Sequence, residues 1–379
     1  MKAHKIVLIG TVAASFYGFR ADLIRTLVAQ GHTVYAFTSE YQADDLDKIN
    51  ALGAIATPYH LNRGGLNPFA DIQATYALKK QLSQIAPDLV FSFFSKPVIF
   101  GTLAARLAKV PRVIGMLEGL GYTFTDQPEG LAKKTQLIKQ VQVLLYKLAL
   151  PKLDKLIFLN PDDPKDLLQQ HQIQTKQVEI LGGIGLNLHD YPYQKQPDVT
   201  EPINFLFIGR LLKEKGIHEF VQAAKLVKAQ YPNTEFTVLG AIDSGNLGAL
   251  QQHELDGLIA SQVIKYPGHV TNVKDWVANC HVFVLPSYRE GVPRSTQEAM
   301  AIGRAVITTD VPGCRETVQH GVNGFIVPRW NAQALADKMI YFIQHPEQIA
   351  CMGDASYAIA QQKFDADQVN QRLINMLGL

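Results

Sequence analysis

Short, continuous apolar runs separated by helical patterns recur along this 379-residue chain, and the pattern occurs twice. The first half holds KIVLIG, TVYAFTS, DLVFSFF, RVIGML and KLIFLN; the second holds INFLFIG, EFTVLG, QVIKYPG, HVFVLPS, AVITTD and GFIVP. A strand apolar at successive positions is buried on both faces, which calls for a parallel sheet covered by helices on either side. The segments between the runs carry helix signals. FRADLIRTLVAQG sets Leu23, Leu27 and Val28 on one face and stops at Gly31, and NPFADIQATYALKKQLSQIA ends before Pro87.

A chain of this length is long for one hydrophobic core and comfortable for two. Between the two sets lies PYQKQPDVTEP, polar and proline-bearing, with the composition of a linker. The expected architecture is therefore α/β, with two doubly wound Rossmann-like domains. They span residues 1–190 and 202–379, joined by a linker at 191–201, and the last helix is free to pack back on the first domain. Two such domains facing each other make a cleft, and ligands bind beyond the carboxyl ends of the strands. The residues just after each run are the ones to inspect.

Bulk composition narrows the function by exclusion. A net charge of +2 gives no reason to expect a nucleic-acid partner. Cys280, Cys314 and Cys351 form no CxxC pair, so neither a disulfide framework nor a thiolate zinc site is indicated, which fits a reducing compartment. The apolar run at the N-terminus reads as a first strand and not a signal peptide. No apolar stretch approaches the roughly 20 residues that a spanning helix needs. The expectation is a cytoplasmic protein, with attachment to a membrane surface left open.

Chemistry concentrates in the second half. FLFIGRLLKEKGIHEF is a strand followed by Gly209, Arg210, a short loop, Lys215 and Gly216, and then a helix. Two cations at the carboxyl end of a strand, beside a helix start, make a site for phosphates. Two solvated surface cations are the alternative. In PSYREGVPRSTQEAMAIG, Glu290 lies in the loop before a helix and Glu298 in its second turn, with Pro293 at the start and Gly303 at the end. At about 1.5 Å rise per residue these carboxylates stand on the order of 8–12 Å apart, too far to share a proton. The spacing suits two carboxylates gripping hydroxyls at opposite ends of one diphosphate-linked ligand. A capping glutamate and a solvated helix glutamate remain the alternative.

GRLLKEKG, then PSYREGVPRSTQEAMAIGRAVITTDVPGCRE, then GVNGFIVP, in that order, resemble the family 4 glycosyltransferases. EGLGYTFT, FLNPDD and GGIGLN in the first half resemble a bacterial subgroup that builds capsule, O-antigen or glycan oligosaccharides on undecaprenyl diphosphate. The resemblance implies the GT-B fold and a retaining transfer without metal or cofactor. The implied donor is a UDP-sugar such as UDP-GalNAc, UDP-GlcNAc or UDP-Gal, and the implied acceptor is a lipid-linked saccharide. It assigns Arg210, Lys215 and Glu290 to catalysis, and Gly209, Asp243, Val270, Gly291, Val292 and Glu298 to the donor. Thr11, Ser15, Arg20 and Glu118 are the acceptor candidates. The sequence departs from the family at GMLEGLGYTFT, where Glu118 stands near the place of a common histidine. The DLD and DAD triplets, at residues 45–47 and 365–367, read as structural and not as a metal motif.

Residues 130–155 hold six lysines against one aspartate, with Leu137, Val141, Leu144, Leu145 and Leu148 at helical spacing. That composition suits a helix lying on an anionic membrane, or a core helix with a solvated lysine face. A nucleotide-sugar 2-epimerase and a non-catalytic nucleotide-sugar-binding protein are the competing functions.

Overall fold

A computed structural model describes residues 2–62, 67–197, 199, 202–246 and 248–379. The chain divides into two compact units. One comprises Met1–Thr123, Ala132–Ile184 and Asp367–Leu379; the other comprises Phe124–Leu131 and Gly185–Ala366.

The first unit is built on seven parallel strands, β1 (Lys5–Ile9), β2 (Thr33–Thr38), β3 (Ile55–Pro58), β4 (Leu89–Phe93), β5 (Arg112–Leu117), β6 (Lys155–Phe158) and β7 (Val178–Ile180), in the order β3-β2-β1-β4-β5-β6-β7. The second holds six parallel strands, β8 (Ile203–Ile208), β9 (Thr234–Leu239), β10 (Lys265–Gly268), β11 (Val282–Leu285), β12 (Ala305–Thr309) and β13 (Gly324–Val327), in the order β10-β9-β8-β11-β12-β13. In each sheet the strand order reverses beside the first strand, at β1/β4 and at β8/β11, the position where doubly wound sheets open a ligand crevice.

The central strands are the apolar runs of the sequence. Ile6 to Ile9 and Val282 to Leu285 are buried throughout. Val7 pairs across to Tyr35 and Val90, and Phe283 to Leu206 and Val306, so each core strand lies between two parallel neighbours. Two strands escape the run pattern. β3 and β7 are short edge strands whose outer positions face water, with Ile55 45% and Ile180 38% exposed, so no continuous apolar stretch marks them.

The domain limits differ from the sequence expectation. Residues 185–190 and the described part of 191–201 belong to the second unit, while residues 198, 200 and 201 lie outside the described residues. What reads as a linker by composition is tied down by specific bonds. The guanidinium of Arg304, fully buried, donates from Nη2 to the carbonyls of Gln194 (3.1 Å) and Lys195 (3.2 Å). Tyr193 Oη donates to Asp354 (2.7 Å), and Gln194 N donates to Ile302 O (3.0 Å). The closing helix Ala366–Leu377 ends in the first unit, where Arg112 donates to the carbonyls of Leu377 (2.9 Å) and Gly378 (2.7 Å) and Lys155 to that of Met376 (2.7 Å).

Candidate active site

The carboxyl edge of the second sheet collects the charged candidates, and two glycines explain how. After β8 the chain passes Gly209 and Arg210 and makes one tight turn, Lys213–Lys215, before Gly216 turns left-handed (φ 77°) into the helix Ile217–Gln230. A Cβ on Gly216 would stand 2.7 Å from the Pro286 carbonyl carbon, so only glycine lets this turn press against the end of β11. The contact sets Lys215 beside Glu290, and the two form an ion pair through Nζ and Oε1, both largely shielded from water. Ser287 Oγ donates to the same oxygen at 2.8 Å. Gly313 (φ 78°), after β12, supports the Glu290 loop from behind. Glu290 N donates to Pro312 O (3.0 Å), and a Cβ on Gly313 would lie 2.6 Å from the Glu290 carbonyl carbon.

Arg210 is more open, 54% exposed, and its Nη1 donates to Asp243 Oδ2 at 2.6 Å. Between the cations, Glu214 is buried. Its carboxyl is pushed above the usual range by desolvation, and its backbone carbonyl accepts from Tyr288 N (2.8 Å). Gly291 and Val292 are buried where the loop enters the helix Arg294–Ile302, with Pro293 at its cap and Gly303 (φ 91°) at its end. Val270 follows β10 as a half-buried residue, next to Gly268, whose carbonyl accepts from Gly240 N (3.0 Å).

Glu298 occupies the second turn of that helix. Its Oε1 accepts from Tyr191 Oη (2.9 Å) and from Arg294 Nε (3.1 Å), while Arg294 also donates to Gly185 O at 2.5 Å. Burial and the Glu298 carboxylate push the Tyr191 phenol up to about 12, so it remains a donor at neutral pH. Both bonds fall on Oε1. Sequence reasoning missed these supports. Arg294 lies four residues before Glu298, a spacing that signals a helix ion pair. Tyr191 sat in the supposed linker, and nothing local linked it to Glu298.

In the first unit the four acceptor candidates gather at the carboxyl edge of β1 and β5. Arg20, 3% exposed, pairs with Glu118 through Nη2 and Oε1, and its guanidinium lies 3.6 Å over the Phe93 ring. It is a buried, stacked cation and not a surface charge. Ser15 Oγ donates to Val12 O (2.6 Å), and the Ser15 carbonyl faces Arg20 Nη1 at 3.4 Å. Thr11 is buried, and its carbonyl accepts from Ser39 N (2.9 Å) and Thr38 Oγ1 (2.8 Å). Asp45 of the DLD triplet lies in the helix Ala43–Asn50 and bonds Tyr17 and Lys48, and Asp367 lies in the first turn of the last helix. Among the described residues no helix is long and apolar enough to cross a membrane.

Comparison with known proteins matches each half of the chain. Residues 5–160 fit the family described as glycosyl transferase 4-like, and residues 193–358 fit glycosyl transferases group 1. Among curated relatives, the N,N'-diacetylbacillosaminyl-diphospho-undecaprenol alpha-1,3-N-acetylgalactosaminyltransferase of Campylobacter jejuni is 27% identical over 351 residues, covering 90% of this chain and 89% of that protein. The UDP-Gal:alpha-D-GlcNAc-diphosphoundecaprenol alpha-1,3-galactosyltransferase of Escherichia coli is 25% identical over 268 residues, 68% of this chain and 66% of that protein. Among solved structures, Anabaena Alr3699/HepE in complex with UDP and glucose superposes with a TM-score of 0.78 at 17% identity, covering 99% of each chain. With both halves matched in order and the two parallel sheets in place, the chain belongs to the family 4-type glycosyltransferases of the GT-B fold.

Proposed function

We propose that this glycosyltransferase moves a sugar from a UDP-sugar to a saccharide carried on undecaprenyl diphosphate, with retention of configuration and without a metal, at the cytoplasmic face of a membrane. One observation carries the donor half. Arg210 and Lys215 follow β8, Glu290 follows the adjacent β11, and Glu298 stands on the helix after it. A nucleotide sugar has hydroxyls at both ends and a doubly charged link between, and these residues supply a partner for each part. Glu298 takes the ribose, Arg210 and Lys215 the diphosphate, and Glu290 the sugar to be moved. Gly209, Asp243, Val270 and the amides of Gly291 and Val292 complete the donor wall. The names of the two curated relatives support the lipid-linked acceptor, and UDP in one of those names and in the Anabaena complex supports the base.

The chemistry needs no side-chain nucleophile. The bond from the anomeric carbon to the diphosphate oxygen breaks, and the acceptor oxygen bonds on the face being vacated. The acceptor proton passes to a diphosphate oxygen on that face. Negative charge on the leaving diphosphate grows through the transition state, and Arg210 and Lys215 stabilise it more there than in the ground state. No cofactor enters, since the nucleotide sugar is a substrate. Thr11, Ser15, Arg20 and Glu118 serve the acceptor, with Glu118 held by Arg20 as a hydroxyl acceptor.

The membrane contact is assigned to residues 130–155. The helix Lys133–Ala149 buries Thr135, Val143, Tyr146 and Ala149, while Leu137, Leu144 and Leu148 are each more than half exposed among lysines. Apolar residues on the outward face of a lysine-rich helix suit an anionic lipid surface better than water.

The test is a panel of UDP-, GDP- and ADP-sugars, with and without a bacterial lipid-linked acceptor extract, with and without chelator. Lipid-dependent transfer from a UDP-sugar, insensitive to chelator, with the donor anomer kept in the product, is expected. Donor conversion without acceptor would replace this reading by the epimerase. An inverted anomer or loss of turnover with chelator would remove the corresponding part of the mechanism.

A further inference from the structure

The carboxyl edge of the second sheet does not end at Glu290. The next strands in order, β12 and β13, release Asp310 and then Pro328, Arg329 and Trp330 on the same edge, and these line a cavity of about 740 Å³ together with His320 and Ile326. We propose that this cavity is a subsite for the neutral saccharide part of the acceptor, beyond the sugar being transferred. The assignment of that saccharide to the acceptor rests on the donor reading above.

The lining has the chemistry of a polyol site. His320 Nδ1 accepts from Ile326 N (3.1 Å), so its Nε2 carries the hydrogen and donates. Asp310 offers carboxylate oxygens as acceptors, and Arg329 offers a fork of donors. Trp330, Pro328 and Ile326 supply apolar surface against which the C–H face of a sugar ring packs. One carboxylate and one guanidinium leave the lining near neutral, unlike the Arg210 and Lys215 shelf, so it favours hydroxyls over phosphate. Both charges have partners now: Asp310 bonds Arg315 (3.0 Å) and Arg329 bonds Asp126 (3.0 Å). These are solvent-accessible pairs, worth little individually and readily exchanged for ligand hydroxyls.

Trp330 is held as a wall. Tyr288 meets its indole edge-on at 5.8 Å, and Arg329 lies 4.2 Å over the ring. Its backbone is left-handed (φ 61°), a conformation rare for a bulky residue, and its buried Nε1 has no hydrogen-bond partner among the described residues. The fold thus places the indole here against its local preferences.

Position selects the ligand. Neighbouring parallel strands lie about 4.8 Å apart, so β12 and β13 place the cavity roughly 5–10 Å beyond the row of Glu290, on the side away from Arg210. The two sites share backbone. Pro312, two residues after Asp310, accepts from Glu290 N, and Tyr288, two residues before Glu290, touches Trp330. A saccharide here lies past Glu290, on the side away from Arg210, Asp243 and Val270.

The chain has two tryptophans, so Trp276→Phe leaves Trp330 as the only indole reporter. This variant would be titrated with N,N'-diacetylchitobiose, lactose and maltotriose at millimolar concentration, with and without saturating UDP, and UDP binding would be followed separately by calorimetry. At least one saccharide is expected to change Trp330 fluorescence whether or not UDP is bound. Adding Asp310→Asn, at an exposed side chain, is expected to weaken that saccharide at least fivefold and leave UDP affinity unchanged. Fluorescence unmoved by all three sugars overturns the subsite, as does a response that saturating UDP abolishes or that Asp310→Asn leaves intact. Loss of UDP binding with the saccharide response kept would overturn the donor reading and not the subsite.

Discussion

Replacing Glu298 by alanine tests the donor reading at its far end. The carboxylate is 13% exposed and accepts two hydrogen bonds on Oε1, from Tyr191 and Arg294. If a ribose hydroxyl donates to Oε2, the variant loses one charged hydrogen bond to the nucleotide, worth about 1.5–3 kcal/mol. UDP should then bind about 10- to 150-fold more weakly. The fold also loses something, because Tyr191 and Arg294 lose an acceptor, at a cost of about 1–3 kcal/mol for groups this shielded. A lowered Tm alone therefore proves nothing about the ligand. The deciding assay is calorimetry with UDP and with its 2′-deoxy and 3′-deoxy analogues. Wild-type protein should bind at least one analogue more weakly than UDP, and in Glu298→Ala that difference should vanish. Unchanged UDP affinity, or a deoxy penalty that survives the substitution, would show that Glu298 does not hold the ribose.

Arg210→Ala should lower kcat by more than it raises the donor KM, because its guanidinium meets charge that grows towards the transition state; an unchanged rate at saturating donor removes Arg210 from the mechanism. Glu214→Gln should stabilise the fold at pH 7–8. Burial raises the Glu214 pKa above its usual 4.5, so the folded state binds the proton more tightly and stability falls as pH rises from 4.5 through the raised value. The gain in Tm should shrink as pH is lowered towards 4, and a gain independent of pH would refute the assignment. Burial pushes the Cys280 and Cys314 thiols up to about 12 while Cys351 is exposed. One thiol per native chain should therefore react with a disulfide reagent at pH 8, and three after denaturation.

The strands that build the two cores were legible because burial on both faces leaves an uninterrupted apolar run. β3 and β7 were not, because IATP and VEI are only four and three residues long with exposed ends, too short and too mixed to make such a run. That Arg210, Lys215 and Glu290 come together was legible for a different reason. They lie in the loops after β8 and β11, and in a parallel sheet those strand ends meet on one edge. The partners of those residues were harder to find. Ser287, three residues from Glu290, and Arg294, four from Glu298, are local contacts that spacing could have suggested. Tyr191 reaches Glu298 across 107 positions from a stretch whose polar, proline-bearing composition reads as linker. Arg20 stood in the sequence only as an acceptor candidate. Its burial against Phe93 and its pairing with Glu118 depend on the packing of three separate elements, which no window of sequence displays.

The residues assigned to the donor, with their supports, are paired among themselves: Arg210 with Asp243, Lys215 with Glu290, Arg294 with Glu298. A bare phosphate reaching Lys215 must separate it from Glu290 and strip that carboxylate of its cation, offering nothing in return. A nucleotide sugar brings phosphate oxygens for the cations and hydroxyls for the carboxylates in one molecule, so each pair that opens is replaced on both sides. On the donor reading proposed above, the pairing favours a ligand that carries phosphates and hydroxyls together over inorganic phosphate alone.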